Sequence, residues 1–263
     1  MGRLDGRIAI VTGAGQGIGR GIARRYAREG ATVVVAEVNP ETGAAVAEEI
    51  TGELGGRAVF VETDVLDRDQ VDAVVARTVA DFGTVHVLVN NAYVAGAFGP
   101  FESKDDGDLE LAFRGGPLHT WWAMRAVFPH MRDQRWGRIV NFVSLNGVNA
   151  HKYSADYNAA KEGIRALTRT AAVEWGVHNV LVNCIAPGAA TPAYLAFAES
   201  SPENAKTLLG LNPLRRMGDP EHDIGGVALF LASEDADYVT GNTMFVGGGT
   251  HVNGVAWNPS VSG

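Results

Sequence analysis

The sequence predicts a single α/β domain covering residues 1–263, in which a doubly wound parallel sheet carries helices on both faces. Three observations support this fold class. Strand and helix patterns alternate along the whole chain, which is the order that builds a parallel sheet. A length of 263 residues suits one large α/β domain. We find no internal repeat, low-complexity tract or linker.

Seven segments are predicted as strands because they are short and rich in apolar, often β-branched residues. The first ends at a glycine-rich turn, and the second ends at Glu37. The predicted strands are 7–12, 32–36, 57–62, 86–90, 137–142, 180–185 and 243–246.

Helical periodicity or helix-start signals occur between these strands. Asn39-Pro40 resembles an N-cap followed by a first-turn proline, and Asp67 with Gln70 resembles a capping box. The predicted helices are 18–30, 40–54, 67–82, 108–134 with an interruption at Gly115-Gly116-Pro117, 156–177 and 220–232.

Composition and charge exclude several classes of function. The net charge of −8 and the absence of a basic cluster disfavour nucleic-acid binding. The single cysteine, Cys184, excludes intrachain disulfides, and the scattered histidines show no metal-ligand spacing, so no metal site is expected. No apolar run approaches a membrane span and the N-terminus lacks a signal-peptide core, so we expect a cytoplasmic protein without a membrane partner.

The turn after the first strand has the chemistry of a phosphate cradle. Glycines there allow backbone N–H groups to approach a pyrophosphate at a helix N-terminus. The spacing G-x-x-x-G-x-G differs from the common dinucleotide fingerprint, but the strand before it and the helix after it favour dinucleotide binding over an ordinary turn. The candidate cofactor-binding residues are Gly13, Gly15, Gln16, Gly17, Ile18 and Gly19.

Glu37 lies eighteen residues after the last of these glycines. A carboxylate near this position binds a ribose 2′-hydroxyl and repels a 2′-phosphate. Neither Gln16 nor Val38 is basic, although Arg20 and Arg24 are close in sequence. The sequence therefore predicts NAD rather than NADP; the alternative is that Glu37 is only a solvated charge at a strand end.

Tyr157 and Lys161 lie four residues apart in a predicted helix and share one helix face. Free tyrosine has a pKa of about 10, and a nearby ammonium favours the phenolate, so Lys161 is expected to lower the pKa of Tyr157. Ser144, at the end of the fifth predicted strand, could hold an alcohol or carbonyl oxygen beside the phenol. These three candidate catalytic residues can together move a proton on and off a secondary alcohol.

The order of the motifs from about residue 4 to 249 resembles the short-chain dehydrogenase/reductase family. The resemblance implies a Rossmann domain with a seven-stranded parallel sheet, usually assembled as a homotetramer. The motifs are Thr12 to Gly19, Asn90-Asn91-Ala92, Ser144, Tyr157-x-x-x-Lys161 and Pro187-Gly188.

By this resemblance, Tyr157 is the acid and base, Lys161 holds the nicotinamide ribose, and Ser144 binds the reacting oxygen. The resemblance also implies that the remaining cofactor contacts are made by Asp64 and Val65 at the adenine, by Asn91 beside the cofactor, and by Pro187, Gly188 and Thr191. The alternative for Asp64 is that it only caps a turn, and the alternative for Asn91 is that it only stabilises a strand end.

Three positions depart from the family pattern. Tyr93 stands where the family usually has glycine, so it places a bulky ring near the cofactor. Gly116 falls where many members carry a helix asparagine that holds a water in a proton relay, and His119 one turn later is a candidate substitute. Thr191 is three residues after Gly188, whereas the family threonine is often four after that glycine.

The expected reaction is reversible hydride transfer between NAD and a secondary alcohol or ketone on an apolar, cyclic or aromatic small molecule. The candidate substrate-binding residues are Tyr93, Asn146, Tyr153 and Tyr194. Two alternatives remain, an NADPH-dependent ketone or 3-oxoacyl-thioester reductase and a noncatalytic nucleotide-binding protein. Residues 188–218 are predicted to form a substrate lid or a packed insertion. The C-terminal tail, 250–263, either reaches a neighbouring subunit or frays.

Overall fold

The computed structural model describes residues 2–94 and 96–252. Its seven strands form one parallel sheet in the order β3-β2-β1-β4-β5-β6-β7, which confirms the predicted fold class. The strands are β1 (Ile8–Thr12), β2 (Thr32–Glu37), β3 (Arg57–Glu62), β4 (Val87–Asn90), β5 (Gly137–Phe142), β6 (Val180–Pro187) and β7 (Thr243–Val246).

Helices cover both faces of this sheet. They are α1 (Gly17–Arg28), α2 (Pro40–Gly52), α3 (Arg68–Phe82), α4 (Asp106–Phe113), α5 (His119–Asp133), α6 (Leu145–Val148), α7 (Ala155–Trp175), α8 (Pro192–Ser200), α9 (Pro202–Leu211) and α10 (Gly225–Ala232). One apolar core lies under α1, α2 and α10, and the other lies under α3, α5 and α7. Successive strand residues alternate between the cores, since Ile10 packs into one and Val11 into the other.

The long predicted helix 108–134 is two helices rather than one. A π-helical turn, Arg114–Leu118, joins α4 to α5. Pro117 lies in this turn and has no N–H to donate, which disfavours a regular α-helix there. The turn brings Gly115 and Gly116 against the segment that follows β4, because the Val94 N–H donates to the Gly115 carbonyl at 3.3 Å.

The predicted N-cap at Asn39 is confirmed, since its side chain accepts from the N–H groups of Glu41 and Thr42. The capping box predicted at Asp67 and Gln70 is wrong in detail. Asp67 caps α3, but the Gln70 side chain donates to the Asp67 carboxylate and accepts from the Asp64 N–H. Gln70 therefore fixes the turn after β3 instead of the backbone at the helix start.

The strand order reverses between β1 and β4, which is where open α/β sheets bind ligands at the carboxyl ends of their strands. Residues 188–218, predicted as a lid, contain α8 and α9. Both ends of this segment are held together, because the Gly218 N–H donates to the Gly188 carbonyl at 2.9 Å and the Ala190 N–H donates to the Gly218 carbonyl at 2.9 Å. None of the helices in the described part of the chain combines the length and apolar character that a membrane crossing needs.

Candidate active site

The glycine-rich turn is packed so closely that two of its glycines leave no room for a side chain. A Cβ added at Gly19 would lie 2.1 Å from the Gly13 carbonyl oxygen, and one at Gly15 would lie 2.5 Å from Thr42 Oγ1. Gly13 and Gly17 have φ angles of 62° and 54°, in the left-handed region that favours glycine. The turn precedes α1, and Gly13, Gln16 and Ile18 place the start of this helix at the wall of a cleft. These features fit the pyrophosphate of a dinucleotide.

Glu37 is a buried carboxylate, not a solvated strand-end charge, since only 9% of the residue is exposed. Its Oε2 accepts from the Gly15 N–H at 2.9 Å, and its Oε1 accepts from the N–H groups of Val38 and Asn39 at 2.9 and 3.1 Å. These bonds hold the carboxylate in the wall of the cleft. They also tie the end of β2 to the glycine-rich turn.

The two arginines near this turn are bound to acidic side chains elsewhere. Arg20 forms a bidentate pair with Glu49, with distances of 2.9 and 2.7 Å. Arg24 pairs with Glu49 and donates to Glu221 at 2.6 Å. Neither guanidinium lines the cleft beside Glu37, so the charge of this wall is that of the carboxylate.

The end of β1 is joined to the segment after β4 by Thr12 and Asn91. Asn91 Nδ2 donates to the carbonyls of Thr12 and Gly13 at 3.0 and 3.1 Å. Thr12 Oγ1 accepts from the N–H groups of Asn91 and Ala92, each at 3.1 Å. Asn91 thus stabilises the strand ends and lines the cleft, and its contact with a cofactor stays a prediction.

A cleft of about 510 Å³ runs across the strand ends. It brings together most of the predicted cofactor set, including Asp64 and Val65. The predicted residues lining it are Gly13, Gln16, Ile18, Glu37, Asp64, Val65, Asn91, Tyr93 and Thr191. Gly188 instead lines a separate cavity of about 130 Å³, and Pro187 lines neither cavity.

Ser144 and Tyr157 lie at the ends of neighbouring elements. Ser144 follows β5 and caps α6, and its Oγ accepts from the Asn146 N–H at 3.1 Å. Burial raises the pKa of Tyr157, and hydrogen bonding with Ser144 opposes that rise. The serine hydroxyl is therefore next to the phenol, as the sequence predicted.

Lys161 is buried, with 4% exposure, and its Nζ donates to the Phe142 carbonyl at 2.9 Å. The nitrogen lies 5.7 Å from the centroid of the Tyr157 ring and 4.3 Å from that of Tyr93. The expectation that Lys161 lowers the pKa of Tyr157 is wrong for the cofactor-free protein. Burial lowers the pKa of Lys161 itself to about 7, so its ammonium is only partly populated at neutral pH.

This burial predicts a pH-dependent stability of the cofactor-free protein. The pKa of Lys161 is about 7 in the folded protein and about 10.4 in the unfolded chain. Between these pH values the unfolded chain therefore binds more protons than the folded protein does. The free energy of unfolding of the wild type, relative to Lys161→Met, should rise across this interval by up to about 1.4 kcal/mol per pH unit. Denaturant titrations at several pH values measure this; a pH-independent difference would contradict it.

His119 is the candidate substitute for the missing helix asparagine. Its ring is buried beside the backbone of Ala92 and Gly115, and neither ring nitrogen forms a well-aligned hydrogen bond among the described residues. Burial, followed by the nearby Lys161 ammonium, lowers the pKa of His119 to about 3. The imidazole is therefore uncharged at neutral pH and makes no described hydrogen bond to Tyr157 or Lys161.

Thr191 precedes α8 and lines the cleft. Its Oγ1 accepts from the Tyr194 N–H at 3.2 Å and caps α8. A Cβ added at Gly17 would lie 3.7 Å from Thr191 Cγ2, so α8 starts beside the glycine-rich turn. The Tyr194 ring lies 6.3 Å from that of Phe197 and lines none of the described cavities.

Tyr153 is 59% exposed and lines a second cavity, of about 620 Å³, together with His151 and Phe101. The Tyr153 carbonyl accepts from the Gly99 N–H at 2.9 Å, which joins the two loops around this cavity. Asn146 lies in α6 directly after Ser144. Of the four candidate substrate residues, Tyr93 thus lines the first cavity and Tyr153 the second, whereas Asn146 in α6 and Tyr194 in α8 line neither.

A largely buried ion pair joins the loop before α4 to α7, the helix that carries Tyr157. Lys104 Nζ lies 3.1 Å from the Asp156 carboxylate and 3.8 Å from that of Asp108, and it donates to the Ala97 carbonyl. Asp156 directly precedes Tyr157. The loop over the second cavity is therefore attached to the residue next to the phenol.

Sequence reasoning missed several cleft residues. Thr63 follows β3 and Val38 follows Glu37, and both line the cleft. The signal that could have found them is position, since each directly follows the carboxyl end of a strand. The missed cleft residues also include Ala92, Val94 and Ala193.

Comparison with known proteins shows which family the chain resembles over nearly its whole length. A family model described as enoyl-(acyl carrier protein) reductase matches residues 13–251. A 12α-hydroxysteroid dehydrogenase from Clostridium sp. is 36% identical, covering 95% of this chain and 98% of that protein. A 3-oxoacyl-(acyl carrier protein) reductase from Thermotoga maritima is 35% identical, covering 94% and 98%. A solved structure of 7α-hydroxysteroid dehydrogenase with NADH and 7-oxo glycochenodeoxycholic acid is 35% identical with a TM-score of 0.88, covering 94% and 95%.

The sheet, the cleft and these matches define a nicotinamide-dependent oxidoreductase that acts on CH–OH groups. The chain belongs to the short-chain dehydrogenase/reductase family, and it interconverts a secondary alcohol and a ketone.

Proposed function

We propose that this enzyme uses NAD(H) and that Tyr157 exchanges the proton of the substrate alcohol. The observation that carries the proposal is the position of the Tyr157 phenol beside Ser144 and against Tyr93, because Tyr93 lines the cleft although Ser144 and Tyr157 do not. The cradle at Gly15 and Gly19 fits a pyrophosphate. When bound, the nicotinamide supplies the hydride acceptor or donor.

In the direction of oxidation, Tyr157 as phenolate takes the hydroxyl proton of the substrate. Ser144 Oγ, fixed by the Asn146 N–H, donates to the substrate oxygen and holds it against the phenol. Lys161 would hold the nicotinamide ribose, and its charge would favour the phenolate. In the direction of reduction, the Tyr157 phenol returns the proton to the ketone oxygen.

The preference for NAD rests on Glu37. Its carboxylate faces the cleft beside Gly15 and repels a 2′-phosphate, while Arg20 and Arg24 are bound to Glu49. Asp64 and Val65 are assigned to the adenine, and Asn91 and Thr191 to the rest of the cofactor. Pro187 and Gly188 belong to the same assignment through their place after β6.

Glu37→Gln is expected to reduce the preference for NAD over NADP. A hydrogen bond to a charged group contributes about 1.5–3 kcal/mol, so the ratio of kcat/KM values for the two cofactors should fall about 10- to 100-fold. Glu41→Gln is the matched control, because it removes an exposed carboxylate from the first turn of α2. Equal changes in both variants would argue for a general charge effect and against a contact with the ribose.

The substrate is proposed to be an apolar, cyclic secondary alcohol or ketone. Support comes from the Tyr93 ring, which lines the cleft and contacts Tyr157, and from similarity to two hydroxysteroid dehydrogenases. The similarity to the Thermotoga maritima enzyme favours a second candidate, reduction of a 3-oxoacyl thioester with NADPH. A noncatalytic nucleotide-binding protein is disfavoured because Ser144 and Tyr157 are adjacent.

A screen of cyclic secondary alcohols with NAD⁺ and NADP⁺, followed by absorbance of the reduced nicotinamide, tests this proposal. The expected result is turnover of a cyclic alcohol with NAD⁺ favoured. Turnover only of 3-oxoacyl thioesters with NADPH would establish the second candidate, and binding of NAD without any turnover would leave the noncatalytic role.

A homotetramer in a reducing cytoplasm completes the proposal. Apolar side chains on α5 and α7 line an exposed groove of about 280 Å³ that a second copy could cover, and they include Trp121, Phe128 and Trp175. Sedimentation of the purified protein measures the assembly. The C-terminal tail is assigned no role, because residues 253–263 lie outside the described residues; of the preceding residues, His251 stacks on Phe245.

A further inference from the structure

Two of the family departures, Tyr93 and Gly116, are in contact with each other. A Cβ added at Gly116 would lie 3.1 Å from Tyr93 Cε2 and 3.4 Å from Ala160 Cβ. The distance to Tyr93 is tight and the distance to Ala160 is close to ordinary van der Waals contact, so a longer side chain at Gly116 would meet the ring. Glycine in the π-helical turn therefore gives the Tyr93 ring its place.

In that place the Tyr93 ring touches the catalytic tyrosine and lysine. The Tyr93 and Tyr157 rings meet edge to face, with centroids 5.0 Å apart and planes at 84°. Lys161 Nζ lies 4.3 Å from the Tyr93 centroid, closer than its 5.7 Å from the Tyr157 centroid. An aromatic face at this distance attracts a cation.

The hydroxyl of Tyr93 makes no part of this contact. It is buried and has no hydrogen-bond partner among the described residues. Burial raises the pKa of Tyr93, and the charges of Tyr157 and Asp156 raise it further. The ring therefore stays neutral while Tyr157 changes its protonation state, so the aromatic ring, not the hydroxyl, carries the interaction.

We propose that Tyr93, seated in the space left by Gly116, is a positioning residue that holds the Tyr157 phenol and the Lys161 ammonium in place. Tyr93 and Gly116 act as one unit, in which the Tyr93 ring takes the position that a side chain at residue 116 would occupy. The inference rests on the proposed function, in which Tyr157 is the acid and base.

A double-mutant cycle in the cofactor-free protein tests the contact. Gly116→Asn alone should lower the Tm because the new side chain meets the ring. In a Tyr93→Ala background, Gly116→Asn should lower the Tm by less. The two changes should be non-additive by the amount found for residues in contact, which is at least about twofold in the unfolding equilibrium constant. Additive losses of Tm would overturn the proposed unit.

Positioning is separated from simple packing by two further measurements. In cofactor-free protein, the phenol titration of Tyr157 is obtained as the ultraviolet difference between each protein and its Tyr157→Phe counterpart. Tyr93→Ala should lower the pKa of Tyr157 by admitting water, and should lower kcat about 2- to 30-fold with little change in the KM for cofactor. Tyr93→Phe, which keeps the ring, should rescue both the Tyr157 titration and kcat relative to Tyr93→Ala, and the fully exposed Tyr238→Ala is the matched control.

If Tyr93→Ala lowers the Tm but leaves both the Tyr157 titration and kcat unchanged, Tyr93 is only a packing residue and the inference fails. Loss of function in Tyr93→Phe would also overturn it, because the hydroxyl would then be the active group. Failure of the proposed function is recognised separately, by undiminished turnover in Tyr157→Phe, whereas the Tm cycle and the titration need no turnover.

Discussion

Tyr157→Phe is expected to lower kcat by about 10²–10⁴-fold, the usual contribution of general acid–base catalysis. The variant keeps the aromatic ring against Tyr93 and removes only the group that exchanges a proton with the substrate. Affinity for NADH should stay nearly unchanged, because the cradle at Gly15 and Gly19 does not involve the phenol. Steady-state rates and fluorescence titration of NADH measure the two quantities.

Tyr238→Phe is the control for this experiment, since Tyr238 is fully exposed and lies far along the chain from the site. It should turn over as the wild type does. Wild-type kcat in Tyr157→Phe would exclude the phenol as the acid and base. Loss of NADH binding together with kcat would instead show that the variant disturbs the cleft.

Gly19→Ala is expected to lower kcat/KM for the cofactor by at least about 100-fold, as displacement of a reacting group by about 1 Å can do. The added methyl group would lie 2.1 Å from the Gly13 carbonyl and 2.7 Å from Asn91 Nδ2. These are atoms of the cleft itself, so the backbone of the turn must move. The free energy of unfolding should also fall, by about 1–3 kcal/mol. Calorimetry and cofactor titration measure both effects.

The matched control is Gly52→Ala in the last turn of α2, where an added Cβ meets nothing within 4 Å. That change should leave activity intact and stabilise the fold by about 0.4–1 kcal/mol, because alanine restricts the unfolded chain more than glycine does. Unchanged cofactor kinetics in Gly19→Ala would show that the pyrophosphate lies elsewhere.

Much of the fold was predictable because its signals are local. The strands are short apolar runs that end in polar or glycine-rich segments, and β3, β5 and β7 have the predicted bounds. The position of Glu37 was also predictable, since a carboxylate that directly ends β2 must lie at the carboxyl edge of the sheet.

Other features depend on contacts between distant segments, which no local pattern contains. The sequence indicated an interruption at Gly116, but only the structure shows that the Tyr93 ring fills the space beside it. The expected effect of Lys161 on the pKa of Tyr157 failed for the same reason. Burial, which no local pattern contains, raises the pKa of Tyr157 and lowers that of Lys161.

The ion pair between Lys104 and Asp156 has a consequence for how new substrates could be accepted. Remodelling the loop at 97–104 to fit a different molecule would change the contact of this loop with Asp156, the residue before Tyr157. Substrate selectivity and catalytic rate are then coupled through this loop. Redesigned loops that keep Lys104 should retain more of the original rate than redesigned loops in which Lys104 is replaced.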